Sequence, residues 1–359
     1  MSEIRVLQEN LKEDGHNRLL RQLGDLQAEA VRSGNQGNAC IAVGDYKRAI
    51  EPYQKALEVA PQLGDLQAKG ISLGNLGNAY TAIGNYQQGM TLYHKALDIA
   101  HLMGDRHSEG KILGNLGLVY RSLGQNKQAI DYSQQALEIA VKIGDPHSQA
   151  TALSNLGTAY AAIRQYPKAI DCLQQALTIS QEIGDYSTEA TNLGNLGSVY
   201  TAIGQYSEAI DHQHRALEIA QGIGDRSTEG STLSNLGRTY ALLERYSEAI
   251  AHQEQALEIA QEIGNRPGMA NGLSNLGHTY GMLGSEERAI EFYQRALGIA
   301  EEIGDRHSQG INLVNIGIAL AKQDKNSEAR NELEQSVTIL AEFDTPFHDI
   351  AQEVLANLT

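Results

Sequence analysis

The sequence predicts an all-α fold, a right-handed α-α superhelix of antiparallel helical hairpins, and three observations predict it. One motif recurs eight times at a fixed step of 40 residues. Within each copy the apolar residues keep the three- and four-residue spacing of a single helix face. Gly is abundant and Pro scarce, 36 against 6, which suits regularly placed turns and not disorder.

The repeat is exact in length. Gly stands at 24, 64, 104, 144, 184, 224, 264 and 304, each followed by Asp or, at 265, Asn. Asn stands at 35, 75, 115, 155, 195, 235, 275 and 315, with Gly two residues later each time. In the fifth copy Gly184 ends one helix and Asp185 is placed to cap the next. Leu193, Leu196, Tyr200 and Ile203 then mark the first helix of a hairpin, Gly204 breaks it, and Tyr206 to Ile223 repeat the pattern. Connections of about two residues make neighbouring helices antiparallel. One hairpin cannot bury its own apolar face, so the units must stack. Gly77 and its equivalents sit inside the first helix, where Gly costs roughly 1 kcal/mol against Ala. Close approach of the partner helix would explain them, with Ala56, Ala96, Ala136, Ala176, Ala216, Ala256 and Ala296 as the expected matching surface.

These residues resemble the tetratricopeptide repeat (TPR) family. Leu73, Leu76, Gly77 and Tyr80 match its first helix, and Gly89, Tyr93 and Ala96 approximate its second. The 40-residue unit is similar to the long-repeat branch that includes the Pins/LGN adaptors and the kinesin light chains. The resemblance implies a TPR solenoid whose first helices line a concave wall. It also allows Pro52 inside a helix as a local kink. Arg164, Glu244 and Asp324 replace the intra-hairpin turn Gly, at a cost of about 1 kcal/mol if φ is positive, so slightly different turns are expected there. The second-helix aromatic becomes Ser133, Leu173, Gln213 and Gln253, which departs from the pattern.

The expected organisation is a degenerate capping helix over 1–24, eight hairpins over 25–343 and a capping helix over 344–359. Thr345 suits an N-cap and Pro346 the first helical position. Capped ends point to a monomer and to a complete repeat domain with no catalytic or membrane domain attached.

Net charge is −16, with pI about 5.1. That disfavours nucleic acid and anionic membrane surfaces as partners. No signal-peptide pattern or spanning stretch is present, so a cytoplasmic protein is expected. Cys40 and Cys172 read as buried free thiols. His107, His147 and His307 read as turn residues. His212 and His214 lie about 200° apart on a helix and form no metal set. No nucleotide loop or nucleophile motif occurs, so neither an enzyme nor a cofactor is expected.

Two features bear on binding. Steps of three and four place positions such as 71, 75, 78 and 82 on one face, so the repeated Asn should look into the groove. Its amide offers donors and an acceptor. The ladder Asn35, Asn75, Asn115, Asn155, Asn195, Asn235, Asn275 and Asn315, with Asn38 and Asn78, either clamps a peptide backbone or bonds adjacent hairpins. Second, residues 30–43 and their seven equivalents hold no Asp or Glu, although the chain has 44. They do hold Arg32, Lys111, Arg121, Arg238, His278 and Lys322. The expectation is an adaptor that steers an acidic peptide segment onto a neutral-to-basic concave wall, with Arg121, Arg238 and His278 among its contacts. The alternative is a regulatory sensor whose superhelix changes pitch on binding a peptide or effector. A self-assembling protein that stacks through its terminal hairpins is disfavoured by the caps.

Overall fold

The structure, a computed structural model, describes residues 22–41, 45–343 and 345–358. First helices of the hairpins are α1 (22–41), α3 (Leu66–Ala82), α5 (Arg106–Ser122), α7 (Pro146–Ala162), α9 (Tyr186–Ala202), α11 (Arg226–Leu242), α13 (Arg266–Met282) and α15 (Arg306–Lys322). Second helices are α2 (Tyr46–Val59), α4 (Tyr86–Met103), α6 (Asn126–Ile143), α8 (Tyr166–Ile183), α10 (Tyr206–Ile223), α12 (Tyr246–Glu262), α14 (Glu286–Ile303) and α16 (Asn326–Leu340). A final helix, α17 (Pro346–Asn357), packs on the last hairpin. Each helix packs on the next along the chain, so the fold is an all-α solenoid, the right-handed superhelix the repeat predicts.

The Gly–Asp turns work as stop and start signals. Gly104 takes φ +66, and the N–H of Asp105 then reaches back to the carbonyl of Ala100 at 2.9 Å. The Asp105 carboxylate accepts from the N–H and hydroxyl of Ser108 at 3.0 and 2.6 Å, capping α5. The first pair departs from this: Gly24 and Asp25 lie inside α1, so no break occurs there. Most of the proposed 1–24 capping helix lies outside the described residues. Pro52 is buried within an uninterrupted α2. Thr345 occupies the N-cap of α17 in extended conformation, without a side-chain capping bond. Cys172 is buried, whereas Cys40 is only half-buried.

The mid-helix glycines are explained by contact, though not with the alanines expected. A Cβ on Gly77 would lie 2.7 Å from the Tyr93 ring. One on Gly237 would lie 2.5 Å from Gln253 Cγ and 2.9 Å from the carbonyl oxygen of Ala249. The crossing surface is therefore the backbone at Ala129, Ala169, Ala209, Ala249, Ala289 and Ala329 plus the residue four positions on. The Ala56 series is buried elsewhere in the interface. Where the second-helix aromatic is lost, Gln213 and Gln253 are buried and accept hydrogen bonds from Thr239 and Thr279 at 3.1 and 3.0 Å. The turns at Arg164, Glu244 and Asp324 stay left-handed and differ slightly, as expected: φ is 59°, 59° and 58°, against 86°, 70°, 80° and 79° at Gly84, Gly124, Gly204 and Gly284.

Successive turns of the superhelix touch. Gly84, between α3 and α4, lies against Ile303 at the end of α14, and Gly124, between α5 and α6, lies against His307 on α15. Gly84 and Gly124 are accordingly buried, while their equivalents Gly204 and Gly284 are exposed. Asp305 is also buried in this contact, close enough to Tyr86 to raise the phenol pKa alongside burial, which pushes it to about 12. The early hairpins thus roof the concave wall of the late ones.

Candidate functional site: an enclosed basic cavity

The roofed space is a cavity of about 710 Å³. Its wall is formed by α11, α13 and α15, which contribute Asn235, Arg238, Asn275, His278 and Asn315. Phe347 of α17 closes one side, and Arg121, at the last turn of α5, enters from the other turn of the superhelix. Six of the residues expected from sequence meet here. The acid-free stretch of each first helix carries through to the lining, which contains Arg121, Arg226, Arg238 and His278 and no Asp or Glu.

The four basic residues are not equivalent. Arg226 is held by Glu229 at 2.7 Å and by Glu262. Arg121 and Arg238 have no carboxylate partner among the described residues. Arg121 keeps solvent exposure while protein surrounds it, so it stands in the cavity and not in packed core. That enclosure pushes its pKa down, with Tyr86 opposing. Burial likewise lowers the pKa of Arg238, whose Nε is buried without a hydrogen-bond partner. His278 is lowered by burial and by the charges of Lys322 and Arg238. Desolvated like charges raise the local positive potential, which an anionic group would relieve.

The Asn ladder divides. Asn155 Nδ2 donates to the carbonyl of Gly114 on the preceding first helix at 3.3 Å, and Asn195 and Asn275 donate to the hydroxyls of Ser154 and Ser234 at 3.3 and 2.9 Å. Asn115 donates to Asn78 Oδ1 at 2.9 Å. These bonds tie neighbouring hairpins. Asn38 and Asn78 accept from the hydroxyls of Tyr53 and Tyr93 at 2.7 and 2.6 Å, within their own hairpins. Asn75, Asn78 and Asn115 line a second cavity of about 560 Å³ beside Lys111, and Asn35 lines a shallower recess with Arg32.

Sequence reasoning missed Phe347 and Arg226 as lining residues. It also gave one role to three histidines that behave differently. His107 and His147 reach the N-cap carboxylates of the next hairpin, Asp145 and Asp185, at 3.2 and 2.6 Å. His307 instead packs in the contact between superhelical turns, tilted against Phe343 with Nε2 unpartnered. His212 and His252 stack on Tyr200 and Tyr240.

Comparison with known proteins agrees with this architecture. Among solved structures, the Rap conjugation gene regulator of the plasmid pLS20 in complex with the Phr* peptide is similar at 20% identity and TM-score 0.67, over 78% of this chain and 76% of that one. A Rap protein complexed with Competence and Sporulation Factor is similar at 17% identity and TM-score 0.57, over 92% and 97%. Aspartyl phosphate phosphatase F from Bacillus subtilis is similar at 14% identity and TM-score 0.56, over 83% and 76%. At these identities the likeness is one of fold. No curated protein matches the chain. Among the described residues no helix is long and apolar enough to cross a membrane. Family profiles described as tetratricopeptide repeat match residues 34–67 and, in overlapping windows, 68–142, 108–182, 148–222, 187–262, 228–302 and 268–342, without singling out the long-repeat branch. Hairpin geometry, the Gly-aromatic crossing and these matches agree: the chain belongs to the tetratricopeptide repeat family.

Proposed function

We propose that the chain is a non-catalytic cytoplasmic scaffold that receives an extended acidic segment of a partner protein on its concave face, in the cavity shared by Arg121, Arg238 and His278. The observation that carries this reading is the pairing pattern: two cavity-lining arginines lack carboxylate partners among the described residues, in a lining with no acid. Arg238 is half-buried with an unpartnered Nε, and a carboxylate ligand would meet both guanidiniums with charge-assisted hydrogen bonds. Two of the similar structures are complexes, one with the Phr* peptide and one with Competence and Sporulation Factor. An analogous occupant is what the basic lining favours here. Asn235, Asn275 and Asn315 line the cavity and would meet its backbone, while Asn155 and Asn195 serve packing.

A second reading, a sensor that changes pitch, is favoured by one specific observation. Arg121 comes from a different superhelical turn than Arg238 and His278. A ligand that bridges them would draw the turns together.

The test is fluorescence anisotropy with a labelled glutamate-rich heptapeptide. Reversing Arg121→Glu and Arg238→Glu should weaken binding roughly ten- to a hundredfold at low salt, with the difference shrinking as salt screens it. Asn155→Ala with Asn195→Ala should lower the unfolding temperature and leave affinity unchanged. Unchanged affinity in the arginine reversals at low salt would overturn the acidic-segment reading.

A further inference from the structure

Four of the hairpins carry a stacked ring pair that the last hairpin lacks. Tyr120 stacks on Tyr132, Tyr200 on His212, Tyr240 on His252 and Tyr280 on Phe292, with centroids 5.0, 5.2, 5.4 and 5.3 Å apart and near-parallel planes. Cations lie over these tyrosines and their equivalent: Lys168 over Tyr160, Arg245 over Tyr240 and Arg288 over Tyr280. At the same two positions of the eighth hairpin stand Leu320 and Glu332. A groove of about 530 Å³ lies there, between α14 and α16. Ile290, Ile316 and Leu320 form its apolar floor, and Glu287, Glu328 and Glu332 stand along it, with Lys325 also in the lining. Glu287 accepts from the Gln323 amide at 3.1 Å, but Glu328 and Glu332 have no ion-pair partner among the described residues. Burial raises the pKa of the Glu332 carboxyl, with Asn331 opposing.

We propose that this groove docks a basic segment of a partner protein, which inserts an arginine side chain where four of the other hairpins hold a ring pair. The floor is apolar, formed by Ile290, Ile316 and Leu320. A guanidinium is planar, delocalised and weakly hydrated, so it can lie on such a floor. Its fork can at the same time bond Glu332 and Glu328. A lysine ammonium is a compact hydrated charge and fits only the second requirement. The chain's net charge of −16 favours approach of a basic partner. None of the groove's lining residues lines the cavity, so the inference stands or falls independently of the acidic-segment reading.

The test uses the full chain and three labelled pentapeptides that differ only at the centre: arginine, lysine or citrulline, the neutral isostere of arginine. The arginine peptide should bind about tenfold more tightly than either of the others. Glu332→Gln should abolish that preference. Leu320→Tyr, which restores the residue found in the six preceding hairpins without changing charge, should fill the groove and remove binding while circular dichroism stays native. Equal binding of the arginine and citrulline peptides overturns the proposal. So does equal binding of the lysine peptide, which would mark general attraction to an acidic chain. Undiminished binding to folded Leu320→Tyr would place the contact elsewhere and overturn it as well.

Discussion

Gly84 lies so close to Ile303 that a Cβ on the glycine would fall 2.6 Å from the isoleucine Cβ, although the two belong to the second and seventh hairpins. Distant hairpins therefore touch, and not only neighbours. Ile303→Glu should break this contact by placing a charge in it, and the radius of gyration from small-angle scattering should increase. Ile143 occupies the equivalent position on a free edge and is exposed. Ile143→Glu should leave the radius unchanged.

Glycines within the first helices should respond oppositely to alanine according to what they face. Gly237→Ala must push Gln253 and the Ala249 carbonyl apart and should cost roughly 1–3 kcal/mol. Gly74 has nothing within 4 Å of its Cβ position, so Gly74→Ala should stabilise by about 0.5–1 kcal/mol through helix propensity alone. Urea unfolding followed by circular dichroism checks both.

The left-handed residues Arg164, Glu244 and Asp324 should be improved by glycine. Each holds φ near +59° or +58° in a turn that glycine fills in other hairpins. Relief of the Cβ clash outweighs the greater freedom of glycine in the unfolded chain, so each change should add about 0.5–1 kcal/mol. A loss of stability at all three sites would show that their side chains matter more than their backbone.

His307 should make the contact between turns sensitive to acid. Burial lowers its pKa below the ordinary value of about 6.5, with Asp305 opposing. A depressed pKa means the neutral ring is favoured in the folded state. Its contribution is complete above the unfolded value and is lost as pH falls through the folded value. Scattering between about pH 7.5 and 5 should show expansion in the native chain, and His307→Phe should reduce it.

How much of this was legible in sequence depends on range. The hairpins, their caps and the glycine crossings follow from a 40-residue pattern, because each unit's contacts are mostly with itself and the next. Position 84 gives no hint of Ile303, since that contact depends on small rotations summed over several hairpins. The crossing partner of Gly237 was misassigned to the Ala256 series because composition marks small residues without saying which face they occupy. Arg121 was singled out by the absence of acids around it in the repeat. Its meeting with Arg238 across superhelical turns required the pitch. The Asn ladder looked uniform, yet Asn155 bonds a backbone carbonyl while Asn275 also lines the cavity, because only the late hairpins are roofed.

Hydrogen exchange of the full chain, with and without a saturating partner captured from the source cell, distinguishes the roofed cavity from the outer wall as the seat of the acidic segment. Protection is expected on α11, α13 and α15 and at Arg121 on α5, lost together when Arg121→Glu and Arg238→Glu are introduced. Protection confined to α10, α12, α14 and α16, unaffected by those reversals, would contradict it.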